Sequence, residues 1–397
     1  MIIKAKYLLA APGEIVADTA VRVDGPRITE VGPGLEPAAG EDVLDFGLAA
    51  ITPGLINAHA HLELEFCSGE IPYEGSFVDW LQSIRDRKKE RGGKSTAFPK
   101  ASMDSLLAAG CTTVVDHHTF DLDWESIEAH GLRHVPMREM FGFNDHAPDW
   151  TQLESLRRRS FAPHAPYTAS IELALACYSL ARGAGQPISF HLSEFAGEID
   201  FIRDGKDPEI TALLEAAGAM DPDFSGTGKS PIQLYAESGL LLSSYAVHVN
   251  YLAPNDLEFL RAYKPVVVYC PRSHAFFKHP DHPLPDYIKA GVPVALGTDS
   301  LASNDSLSPL NEAALVRERF PEVSAEDVFS AITINGLLPL GWDYLMGKVQ
   351  PGRVADLAVF KLEDDPGPDF SRIFDAVVQR GGSELTLVDG VAAYRAQ

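Results

Sequence analysis

Four ionisable side chains alternate along the segment "ITPGLINAHAHLELEF", which spans residues 51–66. His59 and His61 lie two residues apart, and Glu63 and Glu65 follow at the same interval. Because side chains in a strand repeat with period 2, all four would share one face of an extended segment. Two interpretations are open at this point: a solvated strand end, or a metal site at the mouth of a barrel.

Histidines also end several other strand-like segments. In a parallel barrel the carboxyl ends of the strands meet at one mouth, so these imidazoles and one carboxylate can face a common centre. Neutral imidazole and carboxylate suit Zn²⁺ or Fe²⁺, and an incomplete protein shell leaves a position for water. Besides His59 and His61, the residues at such strand ends are His117, His118, His164, His191, His248 and Asp299.

Eight apolar strand candidates alternate with amphipathic helix candidates through the middle of the chain. This alternation is typical of a parallel (β/α)8 TIM barrel. An open doubly wound sheet is the alternative, although no Gly-rich phosphate turn follows the early strands. The strand candidates are "LINAHAH", "CTTVVDHH", "RHVPMREMFGF", "RSFAPHAP", "PISFHLSE", "YAVHVNY", "PVVVYCP" and "VPVALGTDS".

Two connections between these elements are unusually long. Residues 67–100 follow the first strand candidate, and residues 195–231 follow the fifth. Long loops in compact domains tend to be functional, and the loops after barrel strands surround the active site. A lid or wall of a pocket and an irregular insertion are both open interpretations.

The two ends of the chain carry short β-prone pieces separated by turn residues. Examples are "IIKAKYLLA" and "EIVADTAVRVDG" near the start, and "VADLAVFKL", "FDAVVQRGG" and "SELTLVDGVAAYR" near the end. Neither end could form a sufficient core alone, since short hairpins are marginal in isolation. We therefore predict a small β-sandwich domain built from residues 1–52 and 346–397, and a catalytic barrel over residues 53–345.

The charge balance narrows the classes of partner. The 397 residues include 33 basic and 56 acidic side chains, which give a formal net charge of −23. Such a field repels nucleic acid and anionic membranes. Four widely spaced cysteines, and no apolar run of the ~18–20 residues that span a bilayer, fit a reduced and soluble protein. We expect a cytoplasmic protein that binds neither nucleic acid nor membrane, and a homo-oligomer is left open.

Four motifs, in this order, resemble the amidohydrolase superfamily. They are "PGLINAHAHLELE", "SFHLSE", "AVHVNYL" and "VALGTDSLASND", and "GKVQPGRVADLAVF" near the C terminus extends the likeness over nearly the whole chain. More narrowly they resemble the aminohydrolase and chlorohydrolase branch, which includes deaminases of adenosine-like nucleosides, guanine, cytosine and triazines. Within that branch, "HAHLELE", "DWL" and "CPRSH" are most similar to deaminases of aminodeoxyfutalosine and of adenosine derivatives (methylthioadenosine, adenosylhomocysteine).

The resemblance implies which residues hold a metal and move protons. It implies one divalent ion, zinc with iron as the alternative, because strand 4 offers "FAPHAP" where other branches carry a carboxylated lysine that bridges two metals. Glu194 matches the proton shuttle, and His248 matches a histidine that contacts the metal-bound water. The implied metal ligands are His59, His61, His191 and Asp299, and the implied catalytic residues are Glu194, His248 and Asp299.

The chemistry of such a site agrees with these implied roles. A bound divalent ion can lower the pKa of water toward ~7 and so produce hydroxide at neutral pH. Asp299 and His248 could accept the proton of that water and orient it. Glu194 could protonate the ring nitrogen of the substrate and later the leaving amine.

Four further residues are predicted to contact the substrate. His164 in "APHAPYT" resembles a substrate-contacting position of the nucleoside deaminases, with a structural role as the alternative. Glu63 continues the inward face of the first strand, whereas Glu65 is predicted to be a solvated loop residue. In "CPRSHAFFKHPDHPLP", Arg272 and His274 could read a substrate carboxylate or ribose.

The function implied by these residues is hydrolytic deamination. The expected enzyme releases ammonia from an amino-substituted purine nucleoside-like substrate, such as aminodeoxyfutalosine or an adenosine derivative. Within the superfamily, the alternative is an aminohydrolase or chlorohydrolase of guanine, triazine or another aromatic ring. A distant alternative from another class is a metal-binding scaffold without catalysis, against which the acid and base residues argue.

Overall fold

Two sheets form the framework of the molecule, one closed on itself and one open. The computed structural model describes residues 1–92, 95–155 and 160–397. Its strands are β1 (Ile2–Ala11), β2 (Glu14–Asp24), β3 (Arg27–Gly32), β4 (Val43–Asp45), β5 (Ala49–Pro53), β6 (Leu55–Ala60), β7 (Cys111–His118), β8 (Arg133–Met140), β9 (Ser160–Pro163), β10 (Ile188–Leu192), β11 (Ser244–His248), β12 (Val266–Tyr269), β13 (Val294–Leu296), β14 (Leu357–Lys361), β15 (Leu385–Val388) and β16 (Val391–Arg395).

The helices lie mainly between the strands of the closed sheet. None of those in the described ranges is long and apolar enough to cross a membrane. They are α1 (Phe77–Glu90), α2 (Lys100–Ala108), α3 (Trp124–His130), α4 (Trp150–Ser155), α5 (Ile171–Gly183), α6 (Ala196–Asp204), α7 (Pro208–Ala217), α8 (Pro231–Glu237), α9 (Asp256–Tyr263), α10 (Pro271–Phe276), α11 (Leu284–Lys289), α12 (Pro309–Arg319), α13 (Ala325–Ala331) and α14 (Phe370–Arg380), with 3₁₀-helices at Leu62–Cys67 and Asn335–Leu337.

The closed sheet is a parallel barrel, which in the described part of the chain has eight strands running in order from β6 to β13. Its two ends meet where Ala60 pairs with Asp299. The backbone N–H groups of Thr298 and Asp299 donate to the carbonyl of His59, at 2.9 and 3.1 Å. The predicted (β/α)8 barrel is therefore confirmed, and its closure brings Asp299 beside His59.

The barrel strands are buried on both faces. Val114 and Val267 belong to a hydrophobic cluster that the strands share with the surrounding helices. Their chain neighbours Val115 and Val268 belong to a separate cluster, made largely of strand residues. This explains why the strands are apolar runs rather than alternating sequences, as expected of parallel strands covered on both sides.

The helix α5 illustrates how the sequence sets the layer outside the barrel. It begins after Ser170, whose hydroxyl accepts a hydrogen bond from the N–H of Leu173. Its buried residues, which include Leu173, Cys177 and Ala181, recur at helical spacing. The apolar face of α5 packs on the barrel strands β9 and β10.

The open sheet joins the two ends of the chain. Its strands lie in the order β16-β15-β14-β5-β1-β2-β3, and β4 pairs with β1. The decisive contact is antiparallel pairing of β5 with β14, in which Ile51 lies opposite Val359. Both residues are buried in the same cluster as Leu8 and Val21. A small β-domain formed by both ends is thus confirmed, whereas its boundaries at residues 1–52 and 346–397 stay a prediction.

One of the β-prone pieces is a helix. The prediction of a strand at "FDAVVQRGG" is wrong, because these residues lie at the end of α14. Asp369 accepts a hydrogen bond from the N–H of Arg372 at the start of the helix, and Gly381 ends it with φ of 71°. Its buried residues are spaced for a helical face: Phe370, Ile373, Phe374, Val377 and Val378.

Both long connections carry helices that face the mouth of the barrel. Residues 67–100 contain α1, with residues 93 and 94 outside the described ranges, and residues 195–231 contain α6 and α7. Trp80 and Ile84 of α1 line the same cavity as Leu213 and Leu214 of α7. The structure therefore supports the interpretation of these connections as a pocket wall.

Candidate active site

Four side chains from three barrel strands meet at the mouth of the barrel. The Nε2 atoms of His61 and His191 lie 3.4 Å apart. Asp299 Oδ1 lies 3.7 Å from the Nε2 atom of His59 and 3.7 Å from that of His61. Ligand atoms that are each ~2.1 Å from a tetrahedral ion are roughly 3.4 Å from one another. The arrangement of these four residues therefore fits one divalent metal ion.

The hydrogen bonds around these four residues leave the inward-facing atoms free. His59 is fully buried, and neither of its ring nitrogens has a hydrogen-bond partner among the described residues. Asp299 Oδ2 accepts hydrogen bonds from the hydroxyls of Ser273, at 2.7 Å, and Ser303, at 3.0 Å. His191 Nδ1 bonds the carbonyl of His164 at 3.0 Å, so its Nε2 atom is left for a metal.

Burial favours the neutral form of two of these imidazoles, those of His59 and His191. It lowers the pKa of His59 well below the usual value, and nearby His117 lowers it further. The pKa of His191 is lowered by burial and by His61. Since neutral imidazole is the form that binds a metal, the environment favours ligation over protonation.

His117 lies in the same group of histidines but is engaged elsewhere. One ligand atom of each of His59, His61, His117 and His191 lies within 4.8 Å of the others. His117 Nε2, however, lies 2.8 Å from the hydroxyl of Ser189, and its Nδ1 lies 3.7 Å from Oε1 of Glu139. The sequence left the role of His117 open. These contacts indicate that it packs beside the candidate ligands in a supporting role.

Glu194 and His248 lie next to each other beside the four candidate ligands. Glu194 Oε1 is 3.3 Å from His248 Nε2, and both side chains are buried. Burial raises the pKa of Glu194 well above its usual value, and the charge on Asp299 raises it further. Burial lowers the pKa of His248 well below the usual range. A carboxyl that holds its proton and a neutral imidazole suit a donor and an acceptor of protons.

A buried carboxyl group, that of Glu198, holds the turn that carries Glu194. The two oxygens of Glu198 accept hydrogen bonds from the N–H groups of Ser193 and Glu194, both at 2.9 Å. On the other side, the amide of Asn250 donates to the carbonyl of Glu194 at 2.9 Å. Burial raises the pKa of Glu198 to about 8. Glu194 thus has a fixed backbone although it lies beyond the end of β10.

A cavity of about 400 Å³ opens above these residues. Polar side chains form its floor and apolar side chains form its wall, a combination that is common in binding sites for small organic ligands. The polar side chains that line it include His61, Glu139, His164, His191, Glu194 and Asp299. The apolar side chains include Phe77, Trp80, Leu81, Ile84, Leu213 and Leu214.

The predicted substrate residues His164 and Glu63 both line this cavity. The ring of His164 stacks on Phe141, with centroids 4.7 Å apart. Glu63 is saturated by the protein: Lys88 Nζ at 3.0 Å and the hydroxyl of Thr119 at 2.9 Å both donate to its Oε1. Its Oε2 accepts from the N–H of Thr119 at 3.1 Å. Glu63 therefore connects the segment after β6 to α1 and to the loop after β7. Its contact with a substrate stays a prediction.

Glu65 and Glu63 do not continue the face of the two histidines. The strand ends at Ala60, and residues 62–67 form a 3₁₀-helix, so the period of 2 stops after His61. The expectation that Glu65 is a solvated loop residue is wrong. Its carboxylate accepts a hydrogen bond from the N–H of Ser102, at 2.8 Å, near the start of α2.

The structure does not bring Arg272 or His274 to the cavity wall. Arg272 Nε donates to Asn304 Oδ1 at 3.0 Å, and the guanidinium also binds Asp305. His274 is buried against Tyr269, with ring centroids 5.5 Å apart. Both residues flank Ser273 on α10, and because helical neighbours point about 100° apart, they diverge when Ser273 faces Asp299. Their contact with a substrate stays a prediction.

Several residues of the site were missed from the sequence. Ser273, Ser303 and Glu198 act through hydrogen bonds to the candidate catalytic groups, and no spacing in the sequence reports such contacts. Glu139 could have been found. It follows the buried Val135 and Met137 along β8 at intervals of two residues, so the three side chains share one face of the strand, and that face points inward.

Comparison with known proteins agrees with this geometry. The model of the amidohydrolase family matches residues 50–392. A 5-methylthioadenosine/S-adenosylhomocysteine deaminase of Pyrococcus furiosus is 29% identical over 394 residues, which cover 91% of this chain and 86% of that protein. Among solved structures, aminofutalosine deaminase of Helicobacter pylori in complex with methylthio-coformycin superposes with a TM-score of 0.82 at 20% identity, covering 98% of this chain and 99% of that one.

A second solved structure has the same fold. An adenosine deaminase of Xanthomonas campestris with bound zinc superposes with a TM-score of 0.79 at 22% identity. The match covers 98% of this chain and 92% of the other. At these identities the structural likeness shows a shared arrangement of barrel and β-domain.

Proposed function

The chain belongs to the amidohydrolase family, as a hydrolase that acts on C–N bonds, and we propose that it is a metal-dependent deaminase of an amino-substituted purine nucleoside. Aminodeoxyfutalosine and adenosine derivatives are the expected substrates. The observation that carries this proposal is the convergence of His59, His61, His191 and Asp299 on one point, next to the contact of Glu194 with His248.

Different residues of the site bind the metal, orient the water and transfer protons. A divalent ion held by the four ligands, zinc in the first instance with iron as the alternative, supplies the Lewis acidity that makes water a nucleophile at neutral pH. Asp299 and His248 orient the attacking water and accept its proton. Glu194 delivers its proton to the ring nitrogen next to the amino-bearing carbon, regains a proton that the attacking water has released to Asp299 and His248, and passes it to the amine as it leaves as ammonia. The second proton of the water then restores the carboxyl group of Glu194. Water and the C–NH₂ group thereby become a C=O group and ammonia.

The shape of the cavity supports an aromatic substrate with an apolar substituent. The rings of Phe77 and Trp80 and the side chains of Leu213 and Leu214 provide apolar surface opposite the polar floor. A purine could rest against this wall while its amino group faces Glu194. The names of the relatives, which are deaminases of methylthioadenosine and S-adenosylhomocysteine, support the same class of substrate.

Ammonia release from a panel of compounds tests the proposal. We expect release from at least one of adenosine, 5′-methylthioadenosine, S-adenosylhomocysteine and aminodeoxyfutalosine. A chelator should abolish the activity and added zinc should restore it. Activity that survives removal of the metal would contradict the mechanism. Turnover of guanine or of a chlorinated triazine alone would replace this function by the alternative within the family.

A further inference from the structure

A left-handed turn at the end of β11 carries His248, one of the two groups that accept a proton from the attacking water in the proposed reaction. His248 and Val249 have φ of 71° and 48°. Two consecutive residues other than glycine, one of them β-branched, seldom adopt this region of φ and ψ. The backbone at His248 sets the direction of its imidazole, whose Nε2 lies 3.3 Å from Oε1 of Glu194. Contacts from outside the turn must therefore hold it.

Two side chains from one short segment hold the carbonyl groups of this turn. Nε2 of His282 lies 3.0 Å from the carbonyl oxygen of His248, and the hydroxyl of Tyr287 donates to the carbonyl of Val249 at 2.7 Å. His282 precedes Pro283 and the helix α11, on which Tyr287 lies. No other side chain in the described ranges donates to the carbonyl of His248. The backbone that carries the imidazole of His248 thus depends on His282 for its side-chain donor.

The protonation of His282 follows from its surroundings. A carbonyl oxygen can only accept a hydrogen bond, so Nε2 of His282 carries the hydrogen. Burial lowers the pKa of His282 to about 3, so the ring is neutral at pH 7 and Nδ1 carries no hydrogen. Nδ1 is buried and has no hydrogen-bond partner among the described residues. Since an unpartnered buried nitrogen is unfavourable, a side chain that only filled this space would be expected to be apolar.

Two tyrosine rings hold the imidazole of His282 in the orientation of this hydrogen bond. The ring of Tyr269 stacks on it, with centroids 3.8 Å apart and an interplanar angle of 16°. The ring of Tyr287 meets it edge to face, with centroids 5.5 Å apart. His282 is 2% exposed. The imidazole cannot turn away from the carbonyl of His248 without losing this packing, so its donor is fixed in place.

We propose that His282 is a positioning residue for the hydrolysis, because its Nε2–H group holds the turn that directs the imidazole of His248 toward Glu194 and the attacking water. The inference rests on the proposed function, since it explains how one of the proposed catalytic groups keeps its place. A shift of about 1 Å in such a group can reduce the rate on the order of 100-fold. His282 is not among the residues that line the cavity, so it acts through His248.

Two substitutions that separate packing from hydrogen bonding test the proposal. His282→Phe keeps a ring to stack on Tyr269 but lacks the donor, whereas the amide nitrogen of His282→Gln lies as many bonds from Cβ as Nε2 does. We expect kcat of His282→Phe to fall at least tenfold, with KM changed less than threefold and about one divalent ion per chain. The kcat of His282→Gln should stay within threefold of the wild type. A role in packing alone predicts the opposite order of the two variants.

Crystal structures of the variants separate this inference from the proposed function. In His282→Phe the imidazole of His248 should leave its 3.3 Å contact with Glu194, and in His282→Gln the contact should remain. His282→Asn, whose amide nitrogen is one bond closer to Cβ and cannot reach the carbonyl, should behave as His282→Phe does. An unchanged contact in His282→Phe, or a lower kcat in His282→Gln than in His282→Phe, would overturn the inference. Failure of the wild type to release ammonia would instead contradict the proposed function.

Discussion

His59 and His117 lie side by side in the barrel, with ring centroids 4.4 Å apart, but their nitrogens have different surroundings. His59 has no hydrogen-bond partner among the described residues, and its Nε2 faces Asp299. His117 is held by Ser189 and faces Glu139. Hydrogen bonding, rather than position in the barrel, therefore distinguishes His59, the candidate ligand, from His117, the supporting residue.

This difference predicts opposite effects of two matched substitutions on metal content. His59→Asn should reduce the bound divalent ion from about one per chain to less than a tenth, because it removes a candidate ligand. His117→Asn should keep at least half of the ion, because the substitution removes contacts to Ser189 and Glu139 and leaves the candidate ligands in place. Elemental analysis of the purified variants measures both ratios. Retention of metal by His59→Asn, or its complete loss from His117→Asn alone, would show that the ligand set is wrong.

Which site residues could be predicted depended on whether the backbone stayed regular. His59 and His191 stand on strands and His61 directly follows one, so spacing and strand order were enough to bring them together. Glu65 was misplaced because the chain turns into a 3₁₀-helix directly after His61. Arg272 and His274 were expected at the site because "CPRSH" follows a strand, but the direction of each side chain depends on the start of α10.

The turns that follow the barrel strands deliver the candidate catalytic groups in unusual backbone conformations. Ser193, His248, Val249 and Asp299 have positive φ, at 49°, 71°, 48° and 58°. Each such residue costs on the order of 1–2 kcal/mol, and a β-branched valine in this region is rare. The conformations persist because buried side chains hold the backbone, as Tyr287 does by donating to the carbonyl of Val249 at 2.7 Å.

The support of the Glu194 turn by Glu198 predicts a loss of rate rather than of binding. Glu198→Ala removes the acceptor of two buried N–H groups, each of which costs about 1–3 kcal/mol when unsatisfied. We expect kcat to fall at least tenfold, KM to change less than threefold and the metal to remain. Asp200→Ala, an exposed change on the same helix, serves as the control in the ammonia assay. An unaltered kcat in Glu198→Ala would show that the turn keeps its backbone conformation without Glu198.

Elements were predictable where one periodicity dominated. The barrel strands and α5 follow from apolar runs and a capped helical face. The segment "FDAVVQRGG" was assigned to a strand because it was judged alone, without Asp369 before it and Phe370 and Ile373 on its apolar face. Those residues complete the helical period of α14, and the helix covers one side of the β-domain strand β14 and the barrel helices α12 and α13.

At the scale of the whole molecule, the β-domain and the barrel are joined through both ends of the chain. Gly54 links β5 to β6 where a Cβ atom would lie 2.2 Å from the hydroxyl oxygen of Thr112, so only glycine fits this junction. Arg133, at the start of β8, pairs with the buried Asp356 next to β14. The union of the two ends could be inferred because neither can bury a core alone. The order of their strands depends on long-range pairings that local patterns do not encode.

The replacement of Glu194 by glutamine, with ammonia release and metal content measured on the same sample, is the most direct test of the proposed site. Glu194→Gln keeps the size of the side chain but cannot pass on a proton. We expect about one divalent ion per chain, as in the wild type, and ammonia release at least 100-fold slower, since general acid catalysis typically contributes roughly 10²–10⁴-fold. Full activity in this variant, with the metal still bound, would contradict the assignment of Glu194 as the proton carrier.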